Sequence, residues 1–304
     1  MSQNLVKIGT RGSRLALWQA SHVMALLKEK NPEVQFELVI IKTSGDADRV
    51  TALEKIGGTG LFTKKIEQEL LDKSIDIAVH SAKDLPSVMT EGLVIGAVPD
   101  RAPCEDVWLS REGKKLPLIS AGSTVGSGSP RRRAQLLHMR PDLKVEDIRG
   151  NVETRIRKMR EGQYDALIMA RAGLERLGYQ EVITEILEPD RFVPAPGQGS
   201  LVVQVREDDS FCGELTGTIN RPGAHRMLAI ERMLLARLQA GCSTPVGGWA
   251  RVEEGQVRLT AVVLDNDGDR RLYVTYKIDF KQADKTLVDA VVERLMADGA
   301  GEMI

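Results

Sequence analysis

Aromatic residues make up only 4% of this chain, too few for the successive base-stacking platforms on which single-stranded nucleic acid is held. An excess of one charge is also lacking. Lysine and arginine total 42 against 43 acidic residues, a formal net charge of −1, so any basic site must be local and no nucleic-acid partner is expected. No apolar run is long enough to cross a membrane. The stretch from Met1 to Gly9 enters a strand-like pattern without the basic and apolar regions of a secretory signal. No membrane partner is expected, and the expected compartment is the cytosol. The three cysteines have no regular spacing and form no C-x-x-C pair, which argues against a disulfide framework and against a zinc or dithiol motif. His22, His80, His138 and His225 form no ligand spacing and read as structural, so no metal is expected. The zinc-deaminase signature, the P-loop and G-x-S-x-G are all missing. At 304 residues, 42% hydrophobic and 28% charged, the composition is that of a globular protein of two or three domains.

The first two-thirds alternates strand-like and helix-like segments, which predicts an α/β fold with largely parallel sheets. Strands are expected at Leu5–Thr10, Val34–Lys42, Ile75–Ser81 and Leu93–Val98, then at Thr124–Ser127, Leu143–Ile148, Ala166–Ala170 and Leu201–Arg206. Ser13 can cap a helix running to about Lys30, Ser129 one over Pro130–Met139, and Asn151 one reaching Glu161. A glycine loop, Lys55 to Leu61, precedes a helix near Phe62–Asp72. Two places repeat. The strand, small-residue turn and arginine-bearing helix start at Ile8–Leu15 recur at Val125–Arg132, and Asp76–Lys83 resembles Asp165–Arg171. Two similar lobes around a cleft are expected, with the crossing between them at Pro194–Gly199. The last third differs: a helix over Pro222–Ala240, three antiparallel strands and a terminal helix from Ala283 to Asp298 form a small α+β domain. The expected division is 1–99 plus 200–217, 100–199, and 218–304.

Cys242 stands at the entrance to that last domain, in Gly241-Cys242-Ser243-Thr244-Pro245. Gly241 can take the left-handed backbone that ends a helix, and Pro245 prevents helix from resuming. The thiol is then either a loop nucleophile or a small buried hydrophobe. Cys104 and Cys212 lack such a setting. Arg131, Arg132 and Arg133 crowd the first turn of a helix, where the macrodipole disfavours cations unless an anion bridges them and the free N–H groups. Arg11 and Arg14 repeat that mismatch at the first helix, and Arg149, Arg155 and Arg176 add guanidiniums near strand ends. Three successive arginines cannot share one helical face, so Arg133 is expected to point elsewhere. Arginine rather than lysine suits planar carboxylate or phosphate ligands. Asp84 follows Lys83 at the end of a strand and is either a turn residue or a fixed carboxylate able to stabilise positive charge.

Together these pieces resemble the porphobilinogen deaminases, the hydroxymethylbilane synthase family. The matching stretches are Thr10–Ser13 with Leu15–Gln19, Gly57–Phe62, Asp76–Pro86, Arg149–Val152 with Thr154-Arg155, Ala172–Leu174 with Arg176–Gly178, Pro194–Gly199, and Glu231-Arg232 through Cys242 to Pro245. The resemblance implies two lobes like those of periplasmic binding proteins and a smaller domain carrying the cysteine. It implies head-to-tail condensation of four porphobilinogens to hydroxymethylbilane in haem biosynthesis, with ammonia released at each step through azafulvene cations and covalent enzyme–pyrrole intermediates. It also implies a dipyrromethane cofactor joined to Cys242 by a thioether. By the same resemblance Lys83, Ser129, Arg131 and Arg132 hold the cofactor, Arg11, Ser13, Arg149, Arg155 and Arg176 hold substrate carboxylates, and Asp84 is catalytic. The chain is expected to act as a monomer. Arg14, Ser44, Pro130 and Ala240 depart from residues common in the family, namely Pro, Arg, Leu and Gly. On the residues alone two other readings stay open: a two-lobed anion-binding protein without catalysis, and a nucleic-acid-binding regulator using Arg131–Arg133.

Overall fold

The computed structural model describes residues 5–41, 63–241 and 244–304. Ser44, the glycine loop from Lys55 to Leu61, the expected helix start at Phe62 and Cys242 itself lie outside them. The described chain divides into two compact units, Met1–Ala102 with Gly199–Arg226, and Pro103–Gln198 with Met227–Ile304.

In the first unit the strands are β1 (Leu5–Arg11), β2 (Gln35–Ile41), β3 (Ile77–Ser81), β4 (Leu93–Ala97) and the later β10 (Leu201–Arg206). Their order is β2-β1-β3-β10-β4, with β1 parallel to β2 and β3 and with β10 antiparallel to both its neighbours. The helices are α1 (Arg14–Lys30), α2 (Lys64–Leu71), α6 (Ser210–Gly217) and the start of α7 (Pro222–Arg237). β3 is buried along Ile77–His80, as a strand covered on both sides must be, and β1 buries Val6 and the run Ile8–Thr10 while Leu5 and Lys7 stay exposed. Val6, Ile8, Val79 and Leu201 pack with Val23 and Leu27 of α1, while Ile41, Ala78 and Leu93 pack with Ile66 and Leu70 of α2.

A polar chain runs through this core. His80 Nε2 lies 3.1 Å from Gln204 Oε1, Gln204 donates to Glu67 at 2.9 Å, and Thr90 donates to the other Glu67 oxygen at 3.0 Å. Burial pushes the His80 imidazole down to about 4, against the opposing pull of Glu67. The unfolded chain therefore takes up the proton first, and stability is lost as pH falls from about 6.5 towards 4, by about 3 kcal/mol. Urea unfolding at pH 7 and pH 4.5 checks this. His80→Gln should remove that share of the pH dependence, and equal dependence in variant and parent would contradict it.

The second unit repeats the plan. Its strands are β5 (Asp106–Ser110), β6 (Thr124–Gly126), β7 (Lys144–Glu146), β8 (Ala166–Ala170) and β9 (Glu185–Ile186), and its helices α3 (Pro130–Met139), α4 (Val152–Arg160) and α5 (Arg171–Arg176). The order β7-β6-β8-β5-β9, with β6 parallel to β7 and β8 and with β5 antiparallel, matches the first sheet position by position. Successive residues of β8 alternate between the two cores: Ala166 and Ile168 pack with Trp108 and Leu136, Leu167 and Met169 with Leu109 and Ile156. Strands β5 and β9 and helix α6 were not expected from the sequence.

The C-terminal part of this unit is an antiparallel sheet, β11 (Val246–Glu253), β12 (Gln256–Leu264) and β13 (Arg271–Asp279), covered by α7 and by α8 (Asp284–Ala297). Its β12–β13 turn docks on α3. Gly268 has φ +79°, its carbonyl lies 2.9 Å from His138 Nδ1, and a Cβ there would stand 2.4 Å from the Ala134 carbonyl. The end of α7 corrects one expectation. Gln239, not Gly241, takes the left-handed conformation at φ +51°. Ala240 N donates to Leu235 O at 3.1 Å and Gln239 N to Ala236 O at 3.2 Å, the paired closure of a Schellman motif. The burial of Leu238 and Ala240 fixes the register, so the left-handed residue comes two positions before the glycine and the helix ends at Arg237.

Candidate active site

In the first unit the candidate residues sit at the carboxyl ends of the adjacent parallel strands β1 and β3, where ligands of α/β sheets bind. Arg11 closes β1 and Ser13 caps α1, its Oγ accepting from Ala16 N at 3.3 Å. The Ser13 hydroxyl keeps its proton for another acceptor. β3 runs into a 3-10 turn, Ala82–Asp84. Ala82 N donates to Ser200 O at 3.0 Å and Leu85 N to Ala82 O at 3.2 Å. Ala82 and Leu85 are both buried, which pins the turn and leaves Asp84 exposed with Lys83 half-buried. Gln19 of α1 donates to Ser81 Oγ at 2.8 Å, tying the root of this turn to the helix that Ser13 starts.

In the second unit the candidates again follow the carboxyl ends of parallel strands. Ser129 caps α3 by accepting from Arg132 N at 3.5 Å, and Asn151 caps α4 by accepting from Thr154 N at 2.9 Å. Arg149 precedes a turn at Gly150, whose φ of +112° and close approach to Thr154 leave no room for a side chain. Arg155 donates from Nε to the Gly150 carbonyl at 2.8 Å. Burial pushes Arg155 down to about 10, with repulsion from Arg132 adding to it, and burial pushes Arg176 to about 10 as well.

Arg131 and Arg132 are brought together by a residue the sequence reading did not single out. Asp106, wholly buried at the start of β5, pairs with both. Arg132 donates from Nε to Asp106 Oδ1 at 2.8 Å, and Arg131 Nη1 lies 2.7 Å from Oδ2. The second contact is an ion pair, and the buried Arg131 Nε has no hydrogen-bond partner among the described residues. Burial alone would raise the Asp106 carboxyl, but the two guanidiniums outweigh it and hold it at about 2. Arg131 also donates to Val193 O at 2.6 Å. Arg133 turns away and donates to Val145 O at 2.6 Å. The anion that reconciles these arginines with the helix dipole thus includes a side chain of the protein itself. Asp106 escaped notice because an acidic residue opening an apolar triplet, Val107–Leu109, carries no local mark of its partners 25 residues on.

Glu231 was part of the matching sequence but had no assigned role. It is wholly buried on α7, and its two carboxylate oxygens accept from Gly197 N at 2.6 Å and Ala250 N at 2.8 Å. It fixes the helix leading to the cysteine segment against the Pro194–Gly199 stretch and β11. No group of side chains that could hold a metal ion occurs among the described residues, and no helix there is long and apolar enough to cross a membrane.

Residues 6–214 match the family described as porphobilinogen deaminase, dipyromethane cofactor binding domain, and residues 226–296 match the porphobilinogen deaminase C-terminal domain. The chain belongs to the porphobilinogen deaminase family. Among its relatives, the porphobilinogen deaminase of Desulforudis audaxviator is 46% identical over 98% of this chain and 96% of its own length. That of Halalkalibacterium halodurans is 44% identical over 98% and 95%, and that of Syntrophobacter fumaroxidans 42% identical over 88% and 87%. A TRAP periplasmic solute binding protein from Desulfovibrio salexigens aligns over 76% of each chain at 9% identity, with a TM-score of 0.46. The fold rests on the strand orders, not on that alignment. The activity is that of a porphobilinogen deaminase in tetrapyrrole biosynthesis, and the cofactor is dipyrromethane. The residues present suit such a group. Two buried guanidiniums meet a single carboxylate at Asp106, one buried guanidinium nitrogen has no acceptor, and a third guanidinium, Arg155, is repelled by Arg132. Carboxylates are the groups that would balance them.

Proposed function

We propose that this porphobilinogen deaminase binds its acidic pyrroles through the arginines at the strand ends and runs its chemistry from Asp84. Each porphobilinogen carries an acetate and a propionate, so every added ring brings two carboxylates. Arg131 and Arg132, with Lys83 and the Ser129 hydroxyl, hold the cofactor carboxylates. Arg11, Ser13, Arg149, Arg155 and Arg176 hold those of the substrate. A hydrogen bond to a charged group contributes roughly 1.5–3 kcal/mol net, and a guanidinium presents two in the plane of a carboxylate. Asp84 accepts from pyrrole N–H groups and stabilises the cation left on porphobilinogen when ammonia departs. Its exposed place on a pinned turn suits a group that must meet successive substrates. Cys242 supplies the sulfur for the thioether. Bound dipyrromethane supplies the pyrrole to which the first porphobilinogen is joined.

The three separate sheets support a division into a lobe over 1–99 with 200–217, a lobe over 100–199, and a cysteine-bearing domain over 218–304. The assignment of groups is carried by one observation, the excess of buried guanidinium over carboxylate around Asp106. Intact mass tests it. The purified protein should carry an added dipyrromethane, and porphobilinogen should add further pyrrole units in steps. An unmodified mass from a fully active preparation would overturn the reading.

A further inference from the structure

Gln198 and Asp106 share one hydrogen-bonded cluster with the arginine pair. Gln198 Nε2 donates to Asp106 Oδ1 at 3.0 Å and to the Cys104 carbonyl at 2.7 Å, and its Oε1 lies 3.3 Å from Arg132 Nη2. Both donors and the acceptor of the amide are engaged, and a flipped amide would set oxygen against oxygen at Asp106 and at Cys104. Arg132 Nη2 stands 2.7 Å from Asp106 Oδ1, and Arg132 Nη1 reaches the Ile168 carbonyl at 3.4 Å. Gln198 and Asp106 are each at most 1% exposed. Asp106 opens β5, which is paired with β8 through Asp106 and Ala170, so the anchor rests on strands in the middle of the sheet.

The charge count gives this cluster a direction. One carboxylate aligns two guanidiniums without neutralising both, so the pair keeps about one unit of uncompensated charge in a site of low dielectric. A second buried acid would have spent the arginines on the fold. A neutral amide in its place orients Arg132 and leaves its charge available. Gln198 also ends the second segment at the point where the chain passes to the first unit, and Cys104 stands just after the reverse passage. One amide therefore fixes both of these chain ends to the arginine pair.

We propose that Gln198 and Asp106 are positioning residues, which hold Arg131 and Arg132 in the orientation that receives the carboxylates of the pyrrole chain. The proposal rests on the reading that those arginines hold cofactor carboxylates. Asp106→Asn leaves two buried cations unpaired and is at risk of not folding. Gln198→Met keeps the ion pairs and the side-chain volume while removing the amide, so it is the principal test. Arg132→Lys serves as the control on the underlying reading.

Each apoprotein is mixed with porphobilinogen, and cofactor uptake is followed by intact mass, beside thermal melting, KM and kcat. Gln198→Met should melt cooperatively and take up the cofactor roughly tenfold more slowly, the lower end of what loss of an orienting partner costs at metal sites. Its KM should rise on a similar scale with kcat little changed. Where Asp106→Asn folds, the loss should be larger, and Asp106→Glu should recover part of it. A Gln198→Met protein with unaltered uptake and KM overturns the proposal, as does one whose only change is a lower melting temperature. If Arg132→Lys is impaired while Gln198→Met and Asp106→Asn are not, positioning fails and the carboxylate reading stands. If Arg132→Lys also loads and turns over as the parent does, the reading beneath it fails.

Discussion

Asp84→Ala should fold as the parent does and lose turnover by about 100- to 1,000-fold, the range that follows removal of one preorganised electrostatic stabiliser. The two halves of that expectation have separate causes. The turn carrying Asp84 is held by its neighbours: Ala82 and Leu85 are buried, and Ala82 N and Leu85 N make its backbone hydrogen bonds. The Asp84 side chain is exposed and none of that packing depends on it. On the proposed reading the chemistry does depend on it, because positive charge develops on the pyrrole as ammonia departs, and a carboxylate placed against it would lower the energy of that state more than of the neutral substrate. Asp84→Asn separates charge from shape. It keeps an acceptor for pyrrole N–H groups and loses the anion, so kcat should fall while KM changes little. Single-turnover product formation beside a thermal melt checks both halves. Near-normal turnover in either variant would remove Asp84 from the mechanism.

Much of the architecture was legible in the sequence because it is locally encoded. The caps at Ser13, Ser129 and Asn151 stand where a short polar side chain precedes a helical run, and each makes the expected bond. The similarity between Ile8–Leu15 and Val125–Arg132 became two sheets of the same strand order, since the same strand, turn and helix start were used twice. What escaped was long-range. Asp106 acquires meaning only through arginines on another element, and Gln198 only through Asp106. β9 is two residues long and has no period to read. The C-terminus of α7 was misplaced because glycine preference pointed to Gly241, while burial of Ala240 decided the register at some cost in left-handed backbone at Gln239. Arg131–Arg133 also left open a nucleic-acid-binding reading, yet two of the three are buried against Asp106 and the third, as its helical position implied, turns away to the Val145 carbonyl.

Cys242→Ser should leave the polypeptide at its bare mass, with no added dipyrromethane, and reduce product formation to the level of the uncharged protein. The attacking species in thioether formation is a sulfur nucleophile, and a serine hydroxyl at neutral pH is neither ionised nor comparably nucleophilic. The other two thiols offer no substitute. Cys104 and Cys212 are both buried, and burial pushes the Cys212 thiol up to about 12 with Asp209 adding to it, so it stays protonated and shielded. Cys104→Ser and Cys212→Ser should therefore keep the full adduct, which makes the three variants a matched set read by one mass measurement. Glu231 supplies an internal check on the scaffold. Its carboxylate binds Gly197 N and Ala250 N and so holds α7 against the strand beyond the cysteine segment. Glu231→Gln removes the charge and one of the two acceptors, and should lower stability by about 1–3 kcal/mol while the adduct still forms on whatever protein folds. A thioether found on another residue in an active Cys242→Ser protein would move the attachment site, whereas loss of the adduct in Cys104→Ser would place the nucleophile beside Asp106 instead.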